Sequence, residues 1–438
     1  MFMRLIRRFA TDRRANIIPM FGLSLIPIIG LIGAAVDYSR ANAVKSKLQA
    51  ALDSTALAMA ANAASQTSGA LQTSAQAYFN AMFQSNQAST VTLVATYAMT
   101  STGPQVTVTG TTSVATKFMN IQGFGIPNIP VNGSSTSAWG NTRLRVALAL
   151  DNTGSMSEDG KMTALKTATK NLLAQLKASA TNNGDVYVSI IPFSRDVNVG
   201  ASNYTASWID WSDWDAANGS CSNNSWWTST KSSCQGAGKT WTADNHNTWN
   251  GCITDRDQNY DTTNTTPTGT STVSPTTLFP AEQYDSCPAA MMAQNYNWTA
   301  MNNLVDSMYP AGNTNTAIGL VWGWQSLTAN APLNAPAKDS NYTYTDVIIL
   351  LTDGLNTQDR WSTSQSYIDA RNAITCSNIK AAGITLYTIQ VNTGGDPQSD
   401  MLKSCASNGN FFHLTNASQI VTLFTQLGTK LSRLRVAK

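Results

Sequence analysis

Three oxygen-bearing side chains at alternate positions, Asp151, Thr153 and Ser155, close an apolar run from Val146 to Leu150. One carboxylate and two hydroxyls are hard donors with too little charge to cage calcium alone. They suit Mg²⁺ or Mn²⁺, which keep bound water and accept few protein carboxylates. Two later stretches carry the same chemistry. Gly312–Asn313–Thr314–Asn315–Thr316 puts hydroxyls just ahead of a helical run, and Val347–Leu351 leads into Thr352–Asp353–Gly354. Asp151 and Asp353 could be read as an acid/base pair, but the surrounding hydroxyls make metal ligation the better reading. Gly154 is isolated, so no phosphate-cradling glycine loop is present. His246 and His413 are the two histidines of the chain, which argues against a histidine-based zinc site. No nucleophile–base pair is legible, and the chain does not read as an enzyme.

These residues need strands to carry them. Val146–Leu150 and Val347–Leu351 have the unbroken apolar character of strands buried on both faces. Val186–Ile191 and Ile384–Val391 read the same way. Met162, Leu165, Ala168, Leu172 and Leu176 have helical spacing, and Ile420–Leu434 reads as a closing helix. Strands alternating with helices predict an α/β fold with a doubly wound, mostly parallel sheet, which binds ligands at the carboxyl ends of its strands. A lone Asp at a strand end is commonly a helix cap. Three oxygen-rich pieces at such ends point instead to one site.

With these pieces in order, the chain resembles the von Willebrand factor A domain and its metal-ion-dependent adhesion site. The family pattern is D-x-S-x-S, then a Thr, then an Asp closing a strand. Asp151, Ser155, Thr314 and Asp353 fall on those positions, and Thr153 stands where the family usually has Ser. The resemblance implies Mg²⁺ (or Mn²⁺) as cofactor, and a protein partner whose acidic side chain completes the metal shell.

The N-terminus predicts a membrane span. Arg4, Arg7, Arg8, Arg13 and Arg14 precede Ile17–Val36, a run without a charge. At ~1.5 Å per residue the run spans ~30 Å, the thickness of a bilayer core. Arginines ahead of it place the N-terminus in the cytoplasm. The run exceeds a signal-peptide core and the chain continues helically, which favours a retained anchor over a cleaved one. Val44, Leu48 and Leu52 extend the helix into an alanine-rich stretch ending at Ala64, and Leu71–Phe83 forms a second helical piece. Val91–Leu93, Gln105–Thr109 and Val114–Met119 read as strands, and the Gly/Ser/Thr-rich Asn132–Ser137 as a linker.

Val36–Asp37–Tyr38–Ser39–Arg40–Ala41, followed by Lys45–Asp53, is similar to the N-termini of the TadE/TadG family of tight-adherence (Flp) pilus assembly proteins. Thr316–Trp324 resembles the A-domains of TadG-like members. Unlike prepilins, Ile17–Val36 contains no acid. The resemblance implies a bacterial inner-membrane protein with the bulk of the chain periplasmic or surface-exposed, and a pilus or pilus-assembly component as partner. The expected order is a basic cytoplasmic 1–16, a transmembrane helix 17–36, a small pilin-like α+β segment 37–140 and an A-domain 141–438.

At 438 residues, 42% apolar and 12% charged, the chain has the composition of an exported globular protein. Its net charge of +3 is concentrated in the first residues, which excludes the basic face of a nucleic-acid binder. Cys221, Cys234, Cys252, Cys287, Cys376 and Cys405 are even in number and unlike Cys-x-x-Cys zinc sites, so they read as disulfides in an oxidising compartment. Cys376 and Cys405 are expected to pair, and the other four leave three connectivities open. Those four lie in an insertion, 200–297, where most of the tryptophans cluster. It reads as a module in which disulfides and buried indoles replace a core. The sharper alternative is a lectin-like recognition platform of exposed aromatics. A metal-free structural scaffold is the third reading of the chain.

Overall fold

The computed structural model describes residues 17–60, 62–63, 66–86, 88–100, 103–120, 125–138, 142–223, 225–270 and 276–436. The basic stretch 1–16 lies outside them. The chain divides into two compact units, 1–140 and 141–437.

The first unit begins with α1, Ile17–Ala60, a continuous helix with Pro27 inside it. Two environments are written along it. Met20, Leu23 and Leu31 are 74%, 70% and 73% exposed, and Phe21, Ile26, Ile28, Ile29, Ile32 and Val36 are exposed as well. A helix apolar all round is suited to lipid rather than water. It is the one described helix long and apolar enough to cross a membrane. Beyond Asp37 the burial becomes one-sided: Ala41, Val44, Leu48 and Leu52 are buried three or four residues apart. They pack with Leu71, Ala75 and Phe79 of α2, Ser68–Met82, and with an antiparallel sheet. The sheet has the order β1 (Thr92–Thr100), β2 (Gly103–Ala115), β3 (Asn128–Ala138).

Two sequence expectations fail in this unit. The third strand is not Val114–Met119, because β2 stops at Ala115 and the chain turns. Asn132–Ser137 is not a linker but the body of β3. Gly133 pairs with Gly110 across β2 and β3. A Cβ on Gly133 would lie 2.7 Å from Leu52 Cδ1, so glycine there lets the helix approach the sheet. The small polar residues line a strand, with Thr107 and Thr136 hydroxyls 3.0 Å apart across it. At the turn after β2, the Asp37 carboxylate accepts the backbone N–H groups of Lys117, Phe118 and Met119 at 2.8–3.1 Å.

The second unit is the α/β fold. Its main elements are β4 (Thr142–Asp151), α3 (Lys161–Ser179), β5 (Val186–Phe193), α4 (Trp298–Ser307), α5 (Thr316–Ser326), β6 (Thr343–Thr352), α6 (Gln365–Ala381), β7 (Thr385–Val391), β8 (Phe411–Leu414) and α7 (Ser418–Val436). The parallel strands lie in the order β8-β7-β6-β4-β5. Side chains alternate across β4, as strand geometry requires. Val146, Leu148 and Leu150 join a core with α3, α4 and α7. Ala147 and Ala149 face a second core containing α5 and α6. Both faces are covered, which is why β4 and β6 read as unbroken apolar runs.

After β5 the inserted chain continues the same sheet through short strands at Val197–Asn198, Cys252–Ile253, Phe279–Glu282 and Ile209–Asp210, while Met292–Asn295 pairs antiparallel to β5. Its Trp214 and Trp249 lie in the same core as Trp322 of α5. These indoles therefore extend the main core and do not build a separate one, contrary to the sequence reading, whereas Trp226 and Trp227 lie outside it. Gly219–Cys221 and Trp241–Ala243 pair antiparallel in a separate two-stranded sheet. Disulfides join Cys221 to Cys234, Cys252 to Cys287 and Cys376 to Cys405.

Candidate metal centre

The β4–β6 register places Leu150 beside Leu351, so Asp151 and Thr352 end neighbouring strands and Asp353 opens the loop beyond. Asp151 is fully buried. Its Oδ1 accepts the N–H of Thr153 at 2.7 Å, and its Oδ2 accepts the Thr352 hydroxyl at 2.6 Å. The first bond is a local cap of its own turn, so Asp151 also fills the structural role expected of a strand-end Asp.

From there the donors form a chain. The Thr153 and Ser155 hydroxyls are 3.1 Å apart, and Ser155 Oγ donates to Asp353 Oδ1 at 2.7 Å. The other Asp353 oxygen faces the Lys161 ammonium at 2.6 Å. Thr314 lies on the next loop and is buried. That loop meets the first through the Gly154 N–H, which donates to the Gly312 carbonyl at 3.0 Å. Gly312 has φ +82°, and a Cβ on it would meet Tyr284 Oη at 2.5 Å, so glycine is required for the approach. The Thr314 N–H donates to Thr357 Oγ1 at 2.8 Å. Among the described residues, no hydrogen bond joins the Thr314 hydroxyl to the other four side chains.

Burial pushes the Asp151 carboxyl up to about 7, and the nearby Asp353 charge adds to the rise. The hydrogen bonds from Thr153 and Thr352 pull the other way. Two buried carboxylates thus face each other with one ammonium between helix and loop to offset them. The donor set, two carboxylates with hydroxyls, fits a small hard divalent cation. It does not contain three acidic, histidine or cysteine ligands, and among the described residues no such trio stands ready to hold a metal.

The sequence reading missed three supporting residues. Thr352 orients Asp151, and its position directly before Asp353 could have flagged it. Asn356 Oδ1 accepts the N–H and hydroxyl of Thr316 at 2.8 and 2.9 Å, fixing the start of α5. Lys161 carried no signal, because its reach depends on where α3 begins.

Residues 15–64 match the family described as putative Flp pilus-assembly TadE/G-like, and residues 284–426 match the von Willebrand factor type A domain. The second match includes Thr314 and Asp353 and begins after Asp151, Thr153 and Ser155. No curated protein matches the chain. Among solved structures, it is similar to the pilus adhesin SpaC from Lactobacillus rhamnosus GG, with 13% identity and a TM-score of 0.38, covering 79% of this chain and 35% of that one. It is similar to the vWF domain of the type V pili tip protein Mfa5 from Porphyromonas gingivalis, with 8% identity and a TM-score of 0.38, covering 69% and 98%. It is also similar to proximal thread matrix protein 1 from the mussel byssus with a zinc-occupied MIDAS motif, with 12% identity and a TM-score of 0.34, covering 66% and 46%. The chain spans about a third of the SpaC chain and under half of the mussel protein. The protein joins a TadE/G-like N-terminal segment to a von Willebrand factor A fold.

Proposed function

We propose that this is a membrane-anchored adhesion or assembly protein of a tight-adherence pilus system, which binds a protein partner through a divalent cation. The ligands are Asp151, Thr153, Ser155, Thr314 and Asp353, and Mg²⁺ (or Mn²⁺) is the occupant that this hard-oxygen set favours. The observation that carries the reading is the Ser155–Asp353 hydrogen bond of 2.7 Å, which joins the first and last pieces of the pattern across β4 and β6.

A divalent cation held there supplies a positive centre that an outside carboxylate can approach. The chain's residues do the rest. Asp151 and Asp353 bring negative charge, Thr153, Ser155 and Thr314 offer hydroxyl oxygens, and the Gly154–Gly312 contact keeps the two loops together. The partner is a pilus or pilus-assembly component presenting an acidic side chain. The α1 span anchors the chain in a bacterial inner membrane with the arginine-rich end cytoplasmic, and 141–438 acts as the adhesive domain beyond a pilin-like 37–140.

The test is calorimetric titration of the full chain in detergent with Mg²⁺ and Mn²⁺, beside Asp151→Ala and Asp353→Ala. Saturable binding lost in both variants supports the reading. Two other readings have specific support. Trp226 and Trp227, 84% and 59% exposed, favour a lectin-like contact by the 200–297 insertion. Glycan binding that survives chelation and vanishes in Trp226→Ala would select it. Lys161, which already places positive charge beside Asp353, favours a metal-free scaffold. Absence of metal binding in a folded wild type would select that one.

A further inference from the structure

Lys161 is the first residue of α3 and follows Gly160, which is left-handed at φ +70°. Its side chain is 6% exposed and that of Asp353 is 0% exposed, and 2.6 Å separates Nζ from Oδ2. Asp353 Oδ1 is already taken by Ser155. Oδ2 accepts no hydrogen bond from any other described residue, so the ammonium is what faces it.

This placement is costly unless the carboxylates require it. A cation at a helix N-terminus opposes the helix dipole, where anions are favoured. A buried ammonium also loses its hydration, which must be offset by a charged partner. Both penalties fall on Lys161, and the partner that offsets them is a carboxylate of the candidate metal centre. The charge balance follows from the residues. Asp151, Asp353 and Lys161 together sum to one negative charge when ionised. A divalent cation added to that set leaves one positive charge, enough to call for one carboxylate from outside.

We propose that Lys161 is a tethered counter-ion that competes with the divalent cation for Asp353. This rests on the metal reading of the site. In the metal-free protein the ammonium holds Asp353 in place and prevents two buried carboxylates from facing each other uncompensated. When the site loads, Lys161 gives up part of that contact, so intrinsic metal affinity is lowered. The ammonium also leaves the loaded site positive, which favours an anionic partner over metal retention alone.

The experiment titrates the full chain in detergent with Mn²⁺ by calorimetry, comparing wild type with Lys161→Met and Lys161→Gln. Thermal unfolding is followed with chelator and with Mn²⁺. The expected result is at least about tenfold tighter Mn²⁺ binding in both variants, since removing a close like charge of this kind is worth a kilocalorie or more. The variants should also unfold at lower temperature than wild type with chelator, and gain more from Mn²⁺. Equal or weaker Mn²⁺ binding in both variants, with wild-type binding intact, overturns the role of Lys161 and leaves the metal site standing. If neither wild type nor variants bind Mn²⁺, the metal reading falls, and this proposal with it. If the variants fold only with Mn²⁺ present, the competition is supported. If they fail to fold even then, Lys161 is a structural residue and the proposal is overturned.

Discussion

The hydroxyl of Thr352 donates to Asp151 Oδ2 at 2.6 Å across the carboxyl ends of β6 and β4. A strand residue of one element thereby fixes the carboxylate of its neighbour, so the site is set by the sheet register as much as by its loops. Replacing Thr352 with Val keeps the shape and removes the donor. The buried carboxylate oxygen is then unpartnered, at a cost of about 1–3 kcal/mol. Thermal unfolding in chelator should show the loss, and an unchanged midpoint would exclude this bond as a support of the site.

The metal-free protein should be destabilised by rising pH through Asp151. Its carboxyl is pushed up to about 7 from 3.8, first by burial and then by Asp353. A folded value above the unfolded one means that stability from this group is present below about pH 4 and is lost as pH rises through about 7. A melting midpoint in chelator that falls between about pH 5 and pH 8, and falls less with Mg²⁺ or in Asp151→Asn, is the expected pattern. A flat midpoint across that range in chelator would refute it.

The bridge between Cys376 and Cys405 ties α6 to the short helix Asp400–Cys405 over a separation of 29 residues. Both sulfurs are buried. Replacing both cysteines with Ala should cost about 2–4 kcal/mol, the usual yield of a loop of this size. Unfolding with and without reductant checks it: reductant should destabilise the wild type and leave the Cys376/Cys405 double variant less affected.

Asp37 ties distant stretches of the first unit together, as the Cys376–Cys405 bridge does in the second. Burial acts to raise its pKa, but three backbone N–H donors and Arg40 outweigh it and hold the carboxyl below its ordinary value. Asp37→Ala would strand the Lys117, Phe118 and Met119 N–H groups. Hydrogen exchange at these amides should accelerate at least about tenfold, corresponding to more than a kilocalorie of lost protection. Unchanged exchange would show that the turn is held by something else.

Much of the sheet was legible because the carboxyl halves of β4 and β6, Val146–Leu150 and Val347–Leu351, are buried on both faces and carry no polar residue. The ligand pattern was legible because Asp151, Thr153 and Ser155 stand at alternate positions of one short stretch and Asp353 directly follows a strand of the same character. Lys161 was not, since a lysine near a helix start reads as solvated until its side chain is traced. Gly133 misled for the opposite reason: glycine among Ser and Thr looks like slack chain, and only the leucine above it shows that the space is filled. The insertion misled through its disulfides, which suggested self-sufficiency, whereas Trp214 and Trp249 lean on the core of α5.

The unbroken course of α1 gives the anchor a mechanical character. The exposed apolar residues up to Val36 and the packed residues Leu48 and Leu52 sit on one helix, with Asp37 gripped by the turn between them. The β1–β3 sheet and the apolar N-terminal half of α1 are therefore joined through one continuous helix. Sliding the rod by one turn, about 5.4 Å, would lift both leucines off the recess at Gly110 and Gly133. The helix is keyed like a shaft in its collar, and its register along its own axis is set by the sheet it packs on.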